Sequence, residues 1–277
     1  MDARTMRVAG FYRYSSSNKY MENDKLYNGT KGILSKAWYN YSGLLTGYGV
    51  TDKLTIEAEA GYYFNKTQKY NYQGIELTGS GLSNAVVSIK PRIYFHPDKR
   101  IEFSLAAGAN LPFSTKWQEK NGVTLPVDIQ PSTGSYGVVL QSFLVKENSF
   151  RGIRFFWVNR YEKYFENKQG YLFGPLYTGS LYFSKHFVFE KYKLKDWTTI
   201  IQLKSQNKAS NFRNGTKVNA SGSVVFFLIP QLNASIADKW NVSVLADIPI
   251  YQKYKEIQLA TSFSFAVSII RDIEFKK

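Results

Sequence analysis

The sequence predicts an all-β protein, a twelve-stranded antiparallel transmembrane β-barrel formed by residues 1–277 as one domain with both termini periplasmic. Two alternating runs joined by a polar turn occupy residues 84–111, NAVVSIKPRIYFHPDKRIEFSLAAGANL, and each run has one face free of charge. The opposite faces hold small or ionised groups, Ser88, Ser104, Gly108 and Asn110 among them, which suit a crowded lumen better than an open solvated surface. Connection lengths alternate between short and long, as in bacterial outer-membrane barrels, whose short turns are periplasmic and whose long loops are extracellular. A water-soluble sandwich has similar two-faced strands, but it gives no reason for segregated connection lengths.

In order, residues 6–14 open the barrel, with Val8, Gly10, Tyr12 and Tyr14 on one face and Arg7, Ala9, Phe11 and Arg13 on the other. A polar connection, 15–31, precedes an aromatic run at 33–48 whose register stays open, because Trp38 and Tyr39 are neighbours and either can face lipid. After the turn 50–53, the strand 54–65 opposes Leu54, Ile56, Ala58, Ala60, Tyr62 and Phe64 to Thr55, Glu57, Glu59, Gly61, Tyr63 and Asn65. A long connection, 66–83, leads to the hairpin 84–95 and 101–111 about the turn 96–100; its first arm places Ile93 and Phe95 on the apolar face and Arg92 and Tyr94 on the polar one.

The loop 112–133 is followed by strands 134–145 and 152–161 about the turn 146–151, and a further loop runs through Gly170. Strands 171–187 and 197–206 flank the turn 190–196, the loop 207–217 follows, and strands 218–236 and 240–248 flank the turn 237–239. A short loop, 249–256, leads to the last strand, 257–270, with Ile257, Leu259, Thr261, Phe263, Phe265, Val267 and Ile269 on its apolar face. Pro91 and Pro230 each delete a ladder donor inside a strand, so a bulge or an unpaired carbonyl is expected at each.

Composition agrees with a barrel. Aromatics reach 17%, with 21 Tyr and 20 Phe, an excess expected where girdles ring a barrel at both lipid boundaries. No apolar run reaches the roughly 18 residues of a transmembrane helix, and the mean hydropathy of −0.32 would hide a barrel from a hydropathy scan. The start, MDARTMRVAGF, lacks the apolar core of a secretory signal, so the expectation for a chain in the outer membrane is that its signal has been removed. Zero Cys excludes disulfides, thiolate zinc sites and Cys nucleophiles. The net charge of +15 comes from Lys spread over many connections, which fits contact with outer-membrane lipid and lipopolysaccharide and argues against nucleic acid as a partner.

Several segments resemble an outer-membrane channel family named for the MetA pathway of phenol degradation. They are GSGLSNAVVSIKPRIYF at 79–95, LPVDIQPSTGSYG at 125–137, IPIYQKYKEIQLATSFSFAVSI at 248–269 and YGVTDKLTIEAEAGY at 48–62. The resemblance implies a twelve-stranded outer-membrane barrel that passes small solutes, apolar or aromatic ones included. The chain departs from the family at Asn84, where an Asp is usual, and after the last strand, where 271–277 follow instead of a terminal aromatic; Phe275 is the candidate for the assembly signal.

The candidate lumen-lining and selectivity residues are Glu57, Glu59, Lys90, Arg92, Glu102, Asn110, Arg154 and Arg160. Facing lipid would cost roughly 2–4 kcal/mol for each Arg or Lys at the midplane, so these side chains are assigned inward. Acidic, basic and acidic residues on three neighbouring strands can then form a cross-strand network. That network is either a selectivity ring for a passage or a salt-bridged plug. A barrel without cargo, docking in a larger outer-membrane complex with other proteins, is the alternative function. Catalysis is not expected: the only His residues are His96 and His186, and Ser184 two residues before His186 lacks a third member. No motif for a metal, nucleotide or other cofactor is present.

Overall fold

The computed structural model describes residues 1–29, 32–189, 196–236 and 240–275. Fifteen strands share the main sheet; three are short spurs, and the other twelve close a circuit. These are β1 (Thr5–Ser17), β2 (Leu34–Thr51), β3 (Leu54–Tyr70), β4 (Ala85–His96), β5 (Ile101–Leu111), β6 (Gly137–Asn148), β7 (Ile153–Tyr164), β8 (Leu176–Val188), β9 (Asp196–Lys208), β10 (Ser223–Ile236), β11 (Trp240–Ala260) and β12 (Phe263–Glu274). Each pairs antiparallel with its neighbours, and β1 closes on β12 from Thr5 opposite Glu274 to Ser16 opposite Phe263. The shortest strand, β5, has 11 residues, about what a tilted strand needs to cross the hydrocarbon. The sheet is therefore a closed all-β barrel.

The two faces divide as alternation requires. Leu44, Ile56, Val87, Ile89, Leu105, Leu140, Leu181, Ile201, Leu203, Val244 and Val267 stand exposed on the outer wall, although each is large and apolar. Ser88, Ser104, Ala106, Ser180, Ser243 and Ser264 are buried on the inner one. An exposed apolar wall over a polar interior inverts the soluble pattern and matches a barrel solvated by lipid. The end with the termini and short turns is periplasmic by the rule for such barrels, and the other is the loop end.

The open register of β2 is resolved by its partners: Tyr41 pairs opposite Tyr63 and packs on it inside the barrel at 4.6 Å, while Leu44, Tyr48 and Val50 are exposed outside. Gly43 and Gly61 make the room for this, since a Cβ at Gly43 would strike the Phe11 ring and one at Gly61 the Tyr41 ring.

Four expectations need correction. Pairing of β4 with β5 shifts between Arg92 and Tyr94, so Tyr94 lies opposite Phe103 and Phe95 opposite Glu102, reversing the faces assigned to Tyr94 and Phe95. The β4–β5 ladder skips Lys90 and Pro91, as the missing donor predicts, although Pro91 pairs opposite Leu54 on its other side. A second parity change, between the pairs Asn40–Asn65 and Tyr41–Tyr63, puts Asn65 on the face opposite to Tyr63, with which it was expected to align. Pro230 interrupts the β10–β11 ladder between Leu228 and Gln231, while the bulge proper adjoins Pro249. That bulge absorbs the proline and lets β11 continue through 249–256, so the expected loop is strand and the connection to β12 is only residues 261 and 262. The connection 66–83 is also largely ordered, because β3 runs on to Tyr70 and pairs with the spur Glu76–Leu82. The turn 237–239 and residues 190–195 of the turn 190–196 lie outside the described residues.

Val87 is 45% exposed on the outer wall of β4. Val87→Arg is expected to cost about 2–4 kcal/mol if that wall meets hydrocarbon, measured by urea titration of the protein folded in phospholipid vesicles; an unchanged midpoint contradicts the orientation.

Candidate channel lumen

Alternation places ionisable side chains on the inner wall, where low dielectric requires them to find partners. Lys90 of β4 bonds to Glu57 of β3, and the Arg92 guanidinium lies 3.9 Å from Glu102 of β5. Acid, base and acid therefore meet across β3, β4 and β5. Glu59 takes a different partner. Arg160 on β7 reaches it at 2.8 Å and holds Glu162 of its own strand at 2.6 Å. Three strands separate β3 from β7, so this contact crosses part of the bore in front of β5, whose inward Ser104, Ala106 and Gly108 leave the space.

Arg154 does not join that network. It pairs with Glu147 at 3.0 Å at the periplasmic rim, where Arg100 also reaches Glu147 at 3.3 Å. Asn110 is buried and has a structural part: its Oδ1 accepts from Asn84 Nδ2 at 2.6 Å and its Nδ2 donates to Tyr164 Oη at 3.2 Å. Tyr164 in turn donates to Glu162 at 2.7 Å.

Sequence reasoning missed a second cluster on the opposite wall. Asp247 of β11, buried, accepts from Arg13 of β1 at 3.0 Å and from Ser264 at 2.6 Å, and Lys204 of β9 stands 3.8 Å away. The signal was present, since Asp247 and Lys204 are each the lone ionisable residue of an otherwise uncharged alternating stretch, 241–250 and 197–207. Also missed was the inward face of β10, where Val225, Phe227 and Ile229 are almost fully covered. The expectation that only small or ionised groups point inward fails on this strand.

The loop end is capped by residues 112–136, which fold over the lumen as a strap. Asn84, at the break between the spur Glu76–Leu82 and β4, is its anchor: Nδ2 donates to Thr133 Oγ1 at 2.8 Å, and Oδ1 accepts from Ser132 Oγ at 2.9 Å and from the Thr133 N–H at 3.0 Å. An amide uses both functions here, whereas a carboxylate could not donate. Lys66 Nζ donates to the Gln130 carbonyl at 2.8 Å, and Gln118 clasps Ser80. Beside the strap lies a cavity of about 970 Å³ walled by the outer ends of β1, β2, β3, β9, β10 and β11.

His186 lies at the turn end with Nε2 3.5 Å from Asp196 and Nδ1 3.2 Å from Thr198 Oγ1, while Ser184 donates to the Arg154 carbonyl. The Ser and the His of that pair are thus engaged elsewhere. Among the described residues no group of three or more His, Asp or Glu is placed to hold a metal.

Over 99% of this chain and 97% of the other, the fold is similar to an outer membrane channel from Pseudomonas putida F1, with a TM-score of 0.73 at 13% identity. The barrel is of the outer-membrane type. It is also similar to the β-domain of the Bordetella autotransporter BrkA, with TM-score 0.51, 11% identity and coverage of 96% and 99%. The translocator domain of autotransporter NalP from Neisseria meningitidis gives TM-score 0.50, 10% identity and coverage of 98% and 89%. No protein-family model and no curated protein matches the sequence.

Asn84→Asp is expected to release the strap and cost about 1–3 kcal/mol, the penalty of removing a half-buried donor and facing a carboxylate to Asn110 Oδ1; faster proteolysis within 112–136 measures it. At the rim, a hydrogen bond from Ser149, with Arg154 and Arg100 nearby, holds the Glu147 carboxyl below its ordinary range. A depressed carboxylate stabilises above its unfolded pKa and loses that contribution as pH falls through the folded one. Amide protection in 149–152, exchange rates being divided by the intrinsic rate at each pH, should therefore fall in acid, and Glu147→Gln should remove this pH dependence.

Proposed function

We propose that this chain is a bacterial outer-membrane barrel giving passive passage to small solutes, apolar and aromatic ones included. The observation that carries this reading is the cavity of about 970 Å³ at the loop end, open among the outer ends of six strands and lined by both rings and polar groups. Polar filling alone would close a lumen, whereas an amphipathic cavity at its mouth offers a solute's carbon skeleton somewhere to go. The charges fit the same reading. Glu57, Glu59, Lys90, Arg92, Glu102 and Arg160 neutralise one another, so the wall they form presents paired dipoles more than an ion-selective ring. Asn110 holds the strap's anchor, and Arg154 lies at the periplasmic mouth.

The likeness to a channel from Pseudomonas putida F1 agrees with this function. So does the resemblance to the MetA-pathway channels, since segments 79–95 and 125–137 fall on the strap's anchor and the strap itself. Outer-membrane lipid and lipopolysaccharide are the partners of the exposed apolar wall and basic loops. The alternative, a barrel without conductance that docks in a larger complex, draws on the Arg160–Glu59 contact across the bore.

In planar bilayers the protein should give small single-channel steps, and Glu59→Ala combined with Arg160→Ala should raise their conductance at least about twofold by clearing the bore. Absence of steps in both proteins would leave the docking subunit as the function.

A further inference from the structure

The cavity at the loop end has an uneven chemistry. Strands β9 and β10 are paired with Gln202 opposite Ile229, Lys204 opposite Phe227 and Gln206 opposite Val225. One strand thus presents a file of amides and ammoniums, and its partner an adjacent file of hydrocarbon. Lys204 Nζ lies 4.4 Å from the centre of the Phe227 ring, so the two files touch. The upper end of this double track, Gln206, Lys208 and Val225, opens into the cavity; below it, Phe227 and Ile229 are packed shut.

Two lysines line the cavity, Lys208 on β9 and Lys66 on β3, close enough to interact electrostatically. Neither is in an ion pair within 4.0 Å among the described residues; Lys66 Nζ donates to the neutral Gln130 carbonyl and lies 4.9 Å from the centre of the Tyr63 ring. Both lysines are half-buried, and Asp128 attracts Lys66 across the cavity more strongly than Lys208 repels it, but no carboxylate is in contact with either ammonium, which leaves a place for an anion seated directly on them. Three carboxylates, Glu22, Asp128 and Glu256, also line the cavity, but all three residues are exposed, and Glu256 already accepts the Ala220 N–H. Solvation weakens their pull on a ligand seated deeper. Around the lysines stand Trp38, Tyr39, Tyr70 and Tyr254, with Val225 and Ile257, enough flat apolar surface to cover one aromatic ring.

We propose that the cavity binds amphipathic organic monoanions, with the carboxylate seated on Lys208 and Lys66 and the apolar body against Val225 and the surrounding rings. This deepens the passage reading by naming the class of solute its entrance selects, and it rests on that cavity being the entrance. Binding is measurable without flux, so the two can fail separately.

The probes are benzoate and benzamide, which share a ring and differ in charge. Titrated calorimetrically into the detergent-folded full chain at neutral pH, benzoate should bind at least about tenfold tighter than benzamide. Lys208→Met, which keeps the stem's volume and removes the charge, should abolish that preference while leaving benzamide binding unchanged. Retained heat-modifiable mobility on gels confirms that the variant is folded, and Lys163→Met, on the outer wall, serves as the control. Equal affinity for the two probes, or a preference that survives Lys208→Met, overturns the proposal. Charge-dependent benzoate binding in a protein that gives no conductance upholds the site and removes the passage.

Discussion

Hydrocarbon supplies no hydrogen bonds, and that constraint organises the rest of the molecule. Every backbone N–H and C=O within the bilayer must find its partner on an adjacent strand, so the sheet has to close, and β1 on β12 closes it. Closure imposes alternation, because side chains then have only lipid or lumen to face. Alternation in turn concentrates ionised groups within a narrow interior, where they must satisfy one another.

The interior shows how few residues such mutual satisfaction needs. A continuous relay of hydrogen bonds runs from Ser132 and Thr133 of the strap through Asn84, Asn110 and Tyr164 to Glu162, and from there through Arg160 to Glu59 on the far side. The cap and the Arg160–Glu59 contact across the bore are thereby members of one network. The opposite wall is simpler, with one carboxylate, Asp247, shared by Arg13 and Lys204 beside the hydrocarbon file of β10.

Much of this architecture was legible from residue order. Period-two patterning carried β5, and β3 as far as Tyr63, with their faces, because Glu57, Glu59 and Glu102 interrupt otherwise uncharged runs and can point only one way. The pattern failed where the backbone left its regular pleat. The bulge between Arg92 and Tyr94 reverses parity without any change in composition, and the one beside Pro249 turns an apparent loop into strand. Register between distant strands was out of reach, so Arg160 could be assigned inward while its partner Glu59, 101 residues away, could not be named. On β10, VVFFLIP is apolar on both faces, and periodicity cannot separate a lipid-facing file from a lumen-facing one when both are greasy.

The seam between the first strand and the last is fastened near its periplasmic end by Arg7 and Asp272, a bidentate contact at 2.7 Å between residues 265 positions apart. Contacts of such sequence separation carry a large loop-closure entropy and form late. Until they form, the chain is an open ribbon with two unpaired margins, each able to template onto a foreign strand. The margins of the first and last strands are therefore where the unclosed chain is most open to mispairing, and the clasp joins the two places that carry that hazard.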